Sequence, residues 1–329
     1  MSKVKICFVG CGGIANYHMS HLRLLNDLEY IGFCDLIEER AQRFVDMVGQ
    51  GKVYTDFRKM YEECTPDLLY ICIPPSKHGD VELEAIKFKF NIFVEKPVTM
   101  DLDLAIKIRD AIAEAGIISG VGFQMRYETT APKMQEYVAG HELGIVSCTR
   151  VGGVPGVDWW RKMELSGGQL VEQTIHQFDI LRMLLGDADT VYTVTRRDLI
   201  TEKEWPGYNV DDYSMTVATF KNGKVATIAS ACYALSDDAY NSNIIFSSRS
   251  SRMEYYMGGK IDIIENGKTT TIPAQGDPGF TADCTLINAV KTNNQSLLKS
   301  SYADAVKTLA FTLACNESAK TGKPVKVNI

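Results

Sequence analysis

Three groups of residues in this chain combine types and spacings suited to chemistry. Glu95-Lys96-Pro97 closes a short apolar run, Ile92–Val94. A lysine at the tip of such a strand lies where open α/β sheets collect ligands. Its ammonium can hydrogen-bond a developing negative charge there, and the proline behind it permits a cis peptide at low cost. Glu172, His176 and Asp179 stand at i, i+4 and i+7 after Gly167-Gly168. On one helix they would form a polar stripe beside an apolar stripe of Val171, Ile175, Phe178 and Leu185. A carboxylate one turn before a histidine can orient the ring, and an imidazole with an ordinary pKa of about 6.5 accepts a proton near neutrality. Taken alone, the same Glu–His pair also fits an ordinary helix surface.

The third group is Gly10-Cys11-Gly12-Gly13-Ile14-Ala15, which fits Gly-x-Gly-x-x-Gly/Ala between a strand pattern and a helix pattern. Gly10 permits a tight turn, Gly12 lets a pyrophosphate approach the backbone, and Ala15 lets helix and strand pack closely. The helix start, with Gly13 and Ile14, presents amide donors to phosphate. Asp35 ends the next strand, where a carboxylate accepts from adenosine ribose hydroxyls. Leu36 and Ile37 follow it, and no cation occurs before Arg40, so NAD is favoured over NADP. Pro74 and His78 follow the apolar run Leu68–Ile73 and are expected to line the nicotinamide riboside; His78 equally suits a solvated helix start.

The elements that must carry these groups alternate regularly. Strands are expected at Lys3–Val9, Tyr30–Cys34, Leu68–Ile73, Ile92–Val94 and Ile117–Gly122, and helices at Ile14–Asn26, Glu38–Val48, Asp80–Phe90 and Asp101–Ala115, the last capped by Asp101. Continuous apolar strands separated by helices predict a parallel sheet covered on both faces, a doubly wound Rossmann domain over residues 1–122. Beyond it, helices near 130–139 and 168–185 precede β-prone runs at 190–197, 213–220, 224–232, 243–248, 252–257 and 261–265. Asn222-Gly223 and Asn266-Gly267 read as hairpin turns. A mainly antiparallel α+β domain over 123–300 follows, for substrate binding and oligomerisation. Helices are expected again at 281–293 and 302–319, with a strand at Val325–Ile329, and 301–329 can pack back on the first domain.

At 329 residues the chain is long enough for two cores. A net charge of −6 argues against nucleic acid or an anionic membrane as partner. Nine scattered cysteines without a Cys-x-x-Cys pair read as reduced thiols, not a disulfide frame or zinc site, and no metal is expected. The first ten residues run into a strand without a secretory pattern, and no segment reaches the roughly 18 apolar residues of a membrane helix. A soluble, cytoplasmic protein is expected. His18, His21 and His141 have no convergent partners in sequence and read as structural.

The ordered set Gly10-x-Gly12-Gly13-x-Ala15, Glu95-Lys96-Pro97, Gly122-Phe123-Gln124-Met125-Arg126-Tyr127 and Gly167-Gly168…Glu172-x3-His176-x2-Asp179 resembles the Gfo/Idh/MocA family across nearly the whole chain. The resemblance implies a second domain whose large open sheet forms homodimers or homotetramers. It also implies NAD(P)-linked hydride transfer at a secondary alcohol of a sugar, cyclitol or related polyol. Glu95 and Lys96 then belong to the cofactor wall, with Lys96 also touching substrate. His176 matches the acid/base histidine, and Glu172 stands where many members carry Asp. Trp160, with its neighbour Trp159, suits the C–H faces of a sugar ring; Arg161, Arg126 and Tyr127 suit its hydroxyls. Core packing for a tryptophan and a surface ion pair for Arg161 are the alternatives. Two other functions fit the same family: sugar elimination or glycoside cleavage through transient oxidation by bound NAD, and a non-catalytic NAD or sugar sensor. Joint retention of Lys96, Glu172 and His176 disfavours the sensor.

Overall fold

A computed structural model describes residues 3–329. The first strands are apolar because helices cover both their faces: Leu68, Leu69, Tyr70 and Ile71 are all fully buried. The elements in order are β1 (Val4–Val9), α1 (Gly13–Leu22), β2 (Leu28–Cys34), α2 (Glu38–Val48), β3 (Lys52–Tyr54), α3 (Phe57–Glu63), β4 (Leu68–Ile71), α4 (Asp80–Lys87), β5 (Asn91–Val94), α5 (Leu102–Ala115) and β6 (Ser119–Val121). The six strands are parallel in the order β3-β2-β1-β4-β5-β6, a doubly wound sheet whose order reverses beside β1. The Asp101 carboxylate accepts from the Leu104 amide and caps α5. Helix α1 stops at Leu22, short of the expected Asn26, and β3 and α3 had no reading in the sequence.

The second unit contains α6 (Ala131–Gly140), β7 (Leu143–Val151), α7 (Met163–Ser166), α8 (Gly168–Glu172), α9 (Ile175–Leu185), β8 (Ala188–Arg196), β9 (Tyr213–Phe220), β10 (Val225–Ala231), β11 (Asn241–Ser248), β12 (Ser251–Tyr256), β13 (Lys260–Glu265) and β14 (Lys268–Pro273). Its nine-stranded sheet runs β14-β13-β12-β11-β7-β10-β9-β8 and ends on a ninth strand from the C-terminus. Among the described residues, only the β7–β10 pair is parallel. Strand β7, unread in the sequence, sits inside this sheet between β10 and β11. Asn266 and Gly267 both have positive φ in the β13–β14 hairpin, as a type I′ turn requires.

Three elements follow: α10 (Pro278–Thr292), α11 (Tyr302–Thr321) and β15 (Val325–Lys326). The first unit comprises the chain through Tyr127 together with Asp277–Val306; the second comprises Glu128–Gly276 and Lys307–Ile329. The expected division into 1–122, 123–300 and 301–329 therefore changes: residues 123–127 join the first unit, and two larger pieces move. Helix α10 belongs with the parallel sheet because Leu286, Ile287 and Ala289 share a core with Phe8, Leu22 and Phe93. Residues from Lys307 onward go to the second unit, where β15 pairs with β8 through Val325 and Val191.

Candidate active site

In the first unit, the carboxyl ends of β1, β2, β4 and β5 carry the expected residues. Gly10 has φ +86°, and a Cβ there would collide with the Cys72 carbonyl, so the turn after β1 can lie tight against the end of β4 only with glycine. Ala15 is fully buried beneath the turn. A Cβ on Gly12 or Gly13 would meet nothing within 4 Å, which leaves the amide edge at the start of α1 open to phosphate. Ile14 stays partly exposed beside it. The Asp35 carboxylate closes the turn, accepting from the Cys11 amide at 2.8 Å and the Ile37 amide at 2.9 Å. Arg43, without a role in the sequence reading, donates to the Cys11 carbonyl at 3.0 Å. These residues fit a dinucleotide: an open glycine cradle, a helix N-terminus and a carboxylate hydrogen-bonded to the turn.

Lys96 follows β5, half-buried, and its peptide to Pro97 is cis. Glu95, expected on the cofactor wall, is buried instead: it accepts from the Lys96 amide at 3.0 Å and faces His18 Nε2 at 2.9 Å. Pro74 is half-buried at the start of a 3-10 turn. His78 departs from expectation. Its side chain is 1% exposed and its Nδ1 lies 2.6 Å from Glu82 Oε1, where it supports the start of α4. Arg126 and Tyr127, expected at substrate, are also engaged internally. Arg126 pairs with Asp304 at 2.6 Å and donates to the Lys299 carbonyl, and the Tyr127 hydroxyl accepts from the Lys299 amide.

In the second unit, Gly167 and Gly168 have φ +74° and +79°, two successive left-handed residues that turn the chain from α7 into α8. The expected single helix over 168–185 is two. The Thr174 amide reaches back to the Gln169 carbonyl, five residues earlier, and this wide turn separates α8 from α9. Glu172 and His176 consequently lie on different helices and do not share one stripe with Asp179. Val171, Ile175, Phe178 and Leu185 do form the buried apolar face. Asp179 is buried as well and accepts from Thr308 Oγ1. Glu172 Oε2 accepts from Trp160 Nε1 at 2.7 Å and from the Gln173 side-chain Nε2. Trp160 is 0% exposed and packs with Tyr208, Val210 and Cys232, so it is core and not a sugar platform. Arg161 stacks on Trp205 and pairs with Asp158 at 3.2 Å.

His176 lines a cleft of about 750 Å3 in this unit, with Arg150, Gln173, Gln177, Tyr240, Asn241 and Ser242 among its walls. Arg150 donates to the Ala231 carbonyl and to Gln173 Oε1, and Gln177 Nε2 donates to Ser242 Oγ. Burial pulls the Arg150 guanidinium below its usual range, and the Glu172 carboxylate opposes the shift. Trp160, Glu172, Gln173 and Arg150 thus form a hydrogen-bonded line from the core to the cleft. Arg150 and the Tyr240–Ser242 wall had no sequence signal, because the sheet brings together residues far apart in the chain.

A profile described as an oxidoreductase family NAD-binding Rossmann fold matches residues 4–123, and its companion C-terminal α/β domain matches residues 142–327. The myo-inositol 2-dehydrogenase of Thermotoga maritima is 25% identical over 68% of this chain and 67% of its own length. The scyllo-inositol 2-dehydrogenase (NAD(+)) of Bacillus subtilis is 26% identical over 69% and 66%. The chain thus spans about two thirds of these relatives. A levoglucosan dehydrogenase solved with NADH and levoglucosan superposes with a TM-score of 0.87 at 16% identity, covering 100% of both chains, which is a likeness of fold. Because both domains of one family are matched in order on sheets of the corresponding kinds, the chain belongs to the Gfo/Idh/MocA oxidoreductases.

Proposed function

We propose that this protein transfers a hydride between NAD and a secondary alcohol of a sugar, cyclitol or related polyol. The observation that carries the reading is His176 on the wall of a cleft lined by hydrogen-bonding side chains. A polyol presents several hydroxyls, and Arg150, Gln173, Gln177, Asn241 and Ser242 offer both donors and acceptors to them. The relatives named for inositol 2-dehydrogenation support the same substrate class. NAD, when bound, supplies the hydride acceptor. His176 takes the hydroxyl proton, Lys96 hydrogen-bonds the oxygen as it gains charge, and Glu172 holds Gln173 and, through it, Arg150 in place. Incubating purified protein and NAD with sugars, cyclitols and sugar acids tests the reading at the reduced-nicotinamide absorbance; no turnover across all three classes would refute it.

Asp35 sets the cofactor preference. Its carboxylate, anchored by two backbone amides, suits a ribose diol and repels a 2′-phosphate. Asp35→Ala is expected to weaken NAD binding about tenfold while NADP affinity holds or improves. Titration with both cofactors decides, and equal losses would contradict the assignment.

The nine-stranded sheet presents an apolar outer face, with Ile145, Tyr192, Val194, Met215, Val217 and Val225 exposed. A second copy of this chain is the occupant that a family resemblance implies, and neighbouring exposed apolar side chains of this kind mark association surfaces. The mass in sedimentation is expected to be a multiple of 36.6 kDa. Met215→Asp combined with Val217→Asp should release monomers, and a wild-type monomer would refute the assembly.

A further inference from the structure

Helix α1 starts at the glycine turn, and its buried face carries two imidazoles beside Ala15, Met19 and Leu22. His18 is 3% exposed, and acid meets it on both sides. Its Nδ1 lies 2.9 Å from Asp283 Oδ1 and its Nε2 lies 2.9 Å from Glu95 Oε1. His21 Nδ1 lies 2.8 Å from the other Asp283 oxygen, and His21 Nε2 faces Asp277 at 3.3 Å. Tyr70 donates to Asp283 from β4, and Tyr17 donates to Asp277 at the cap of α10. The Phe93 ring completes the enclosure of His18 from β5.

A neutral imidazole carries one N–H, so it can donate to only one of two flanking carboxylates. Burial disfavours the charged ring, but Asp283 and Glu95 outweigh it and push His18 up to about 10. Burial likewise opposes the Asp283 charge, yet His18 and His21 hold its carboxyl below the usual range. The cluster is therefore a cation clamped between two anions. His18, His21 and Asp283 stand close enough to share a metal ion. However, N···O separations of 2.8–2.9 Å from both Nδ1 atoms to one carboxylate are those of hydrogen bonds, and protons account for them.

The clamp ends at the residue assigned to chemistry. Glu95 takes His18 on one oxygen and the Lys96 backbone amide on the other. A Cβ at Gly122 would collide with that carboxylate, so the chain leaving β6 closes off the space into which it would swing. We propose that His18 is a positioning residue for Lys96, its imidazolium fixing the Glu95 carboxylate that holds the Lys96 amide and so aims the lysine side chain. One helix then serves two ends of the site: its N-terminus presents amides to phosphate, and its second turn fixes the lysine.

This inference rests on the role proposed for Lys96, and two measurements separate them. NMR of wild-type protein with 13C,15N-labelled histidine should show both His18 nitrogens protonated from about pH 6 to 9, with titration only toward 10. A ring that titrates near its ordinary value would overturn the clamp without touching Lys96. In kinetics, His18→Gln should lower kcat on the order of ten- to a hundredfold with NAD affinity within about twofold. Added to Lys96→Ala, it should cost nothing further, since it acts through that lysine. A further loss in that background, or an effect on NAD affinity or folding alone, would overturn the positioning role. Should His18→Gln not fold, Glu95→Gln, which keeps the side-chain shape, is read in the same cycle. Full turnover by Lys96→Ala alone would remove the lysine's own role and the positioning with it, while the NMR result would still report the clamp.

Discussion

His176→Ala and Lys96→Ala are each expected to lower kcat on the order of a hundredfold or more, with NAD still bound. In the proposed reaction the two residues would meet opposite demands of one bond cleavage. An alcohol loses its carbinol hydrogen as hydride only as its hydroxyl proton departs, so a base and a stabiliser of the oxygen's charge are both needed. His176 borders the cleft half-buried, and truncating it removes the proposed base without opening the core. Lys96 follows β5 beside Glu95, and its loss leaves the sheet's hydrogen bonds intact because β5 pairs through Asn91–Val94. Steady-state rates with the substrate found by screening, together with fluorescence titration of NADH, check both variants. Unchanged turnover in both would remove the site.

Asp283→Ala carries the largest expected cost to stability, about 3–5 kcal/mol, because it strips a buried acceptor from three donors at once. Asp283 is 0% exposed and faces His18, His21 and Tyr70. Without it His18 keeps one partner, and its charge no longer offsets the burial. The pH dependence follows from the sign of each shift. His18 rises from 6.5 to about 10 on folding, so its contribution is complete below about 6.5 and disappears as pH climbs through 10. Asp283 is held below its ordinary 3.8, so its contribution is present above that value and is lost as pH falls below it. Wild-type melting temperature should therefore decline from pH 6.5 toward 10, and Asp283→Ala should flatten that decline. An Asp283→Ala curve parallel to wild type would contradict the account.

Much of the candidate site was legible along the chain, because local geometry dictates it. A glycine turn between strand and helix, an aspartate ending the next strand and a lysine at a strand tip are short-range patterns, and the sheet order placed them at one crest. The misreadings have two causes. The stripe of Glu172, His176 and Asp179 assumed an unbroken helix, but the Thr174 amide skips back to Gln169 and splits it. Trp160, Arg126 and His78 have polar or aromatic types that suit a substrate as well as they suit a buried partner. Only the partner shows which, and each has one: Glu172, Asp304 and Glu82.

Periodicity and turn chemistry alone specify the two kinds of sheet and the glycine turn, and mark Lys96 and His176 as candidates, since each of these patterns depends on neighbours within a few residues. They are silent on what those residues rest upon. His18 and His21 read as isolated histidines until the fold sets Asp283, 265 positions from His18, against them. Arg150 likewise joins His176 on the cleft wall only through the pairing of β7 with β10 and β11. A buried charge is tolerable only when its counter-charge arrives from elsewhere in the chain, and that arrival is a property of packing.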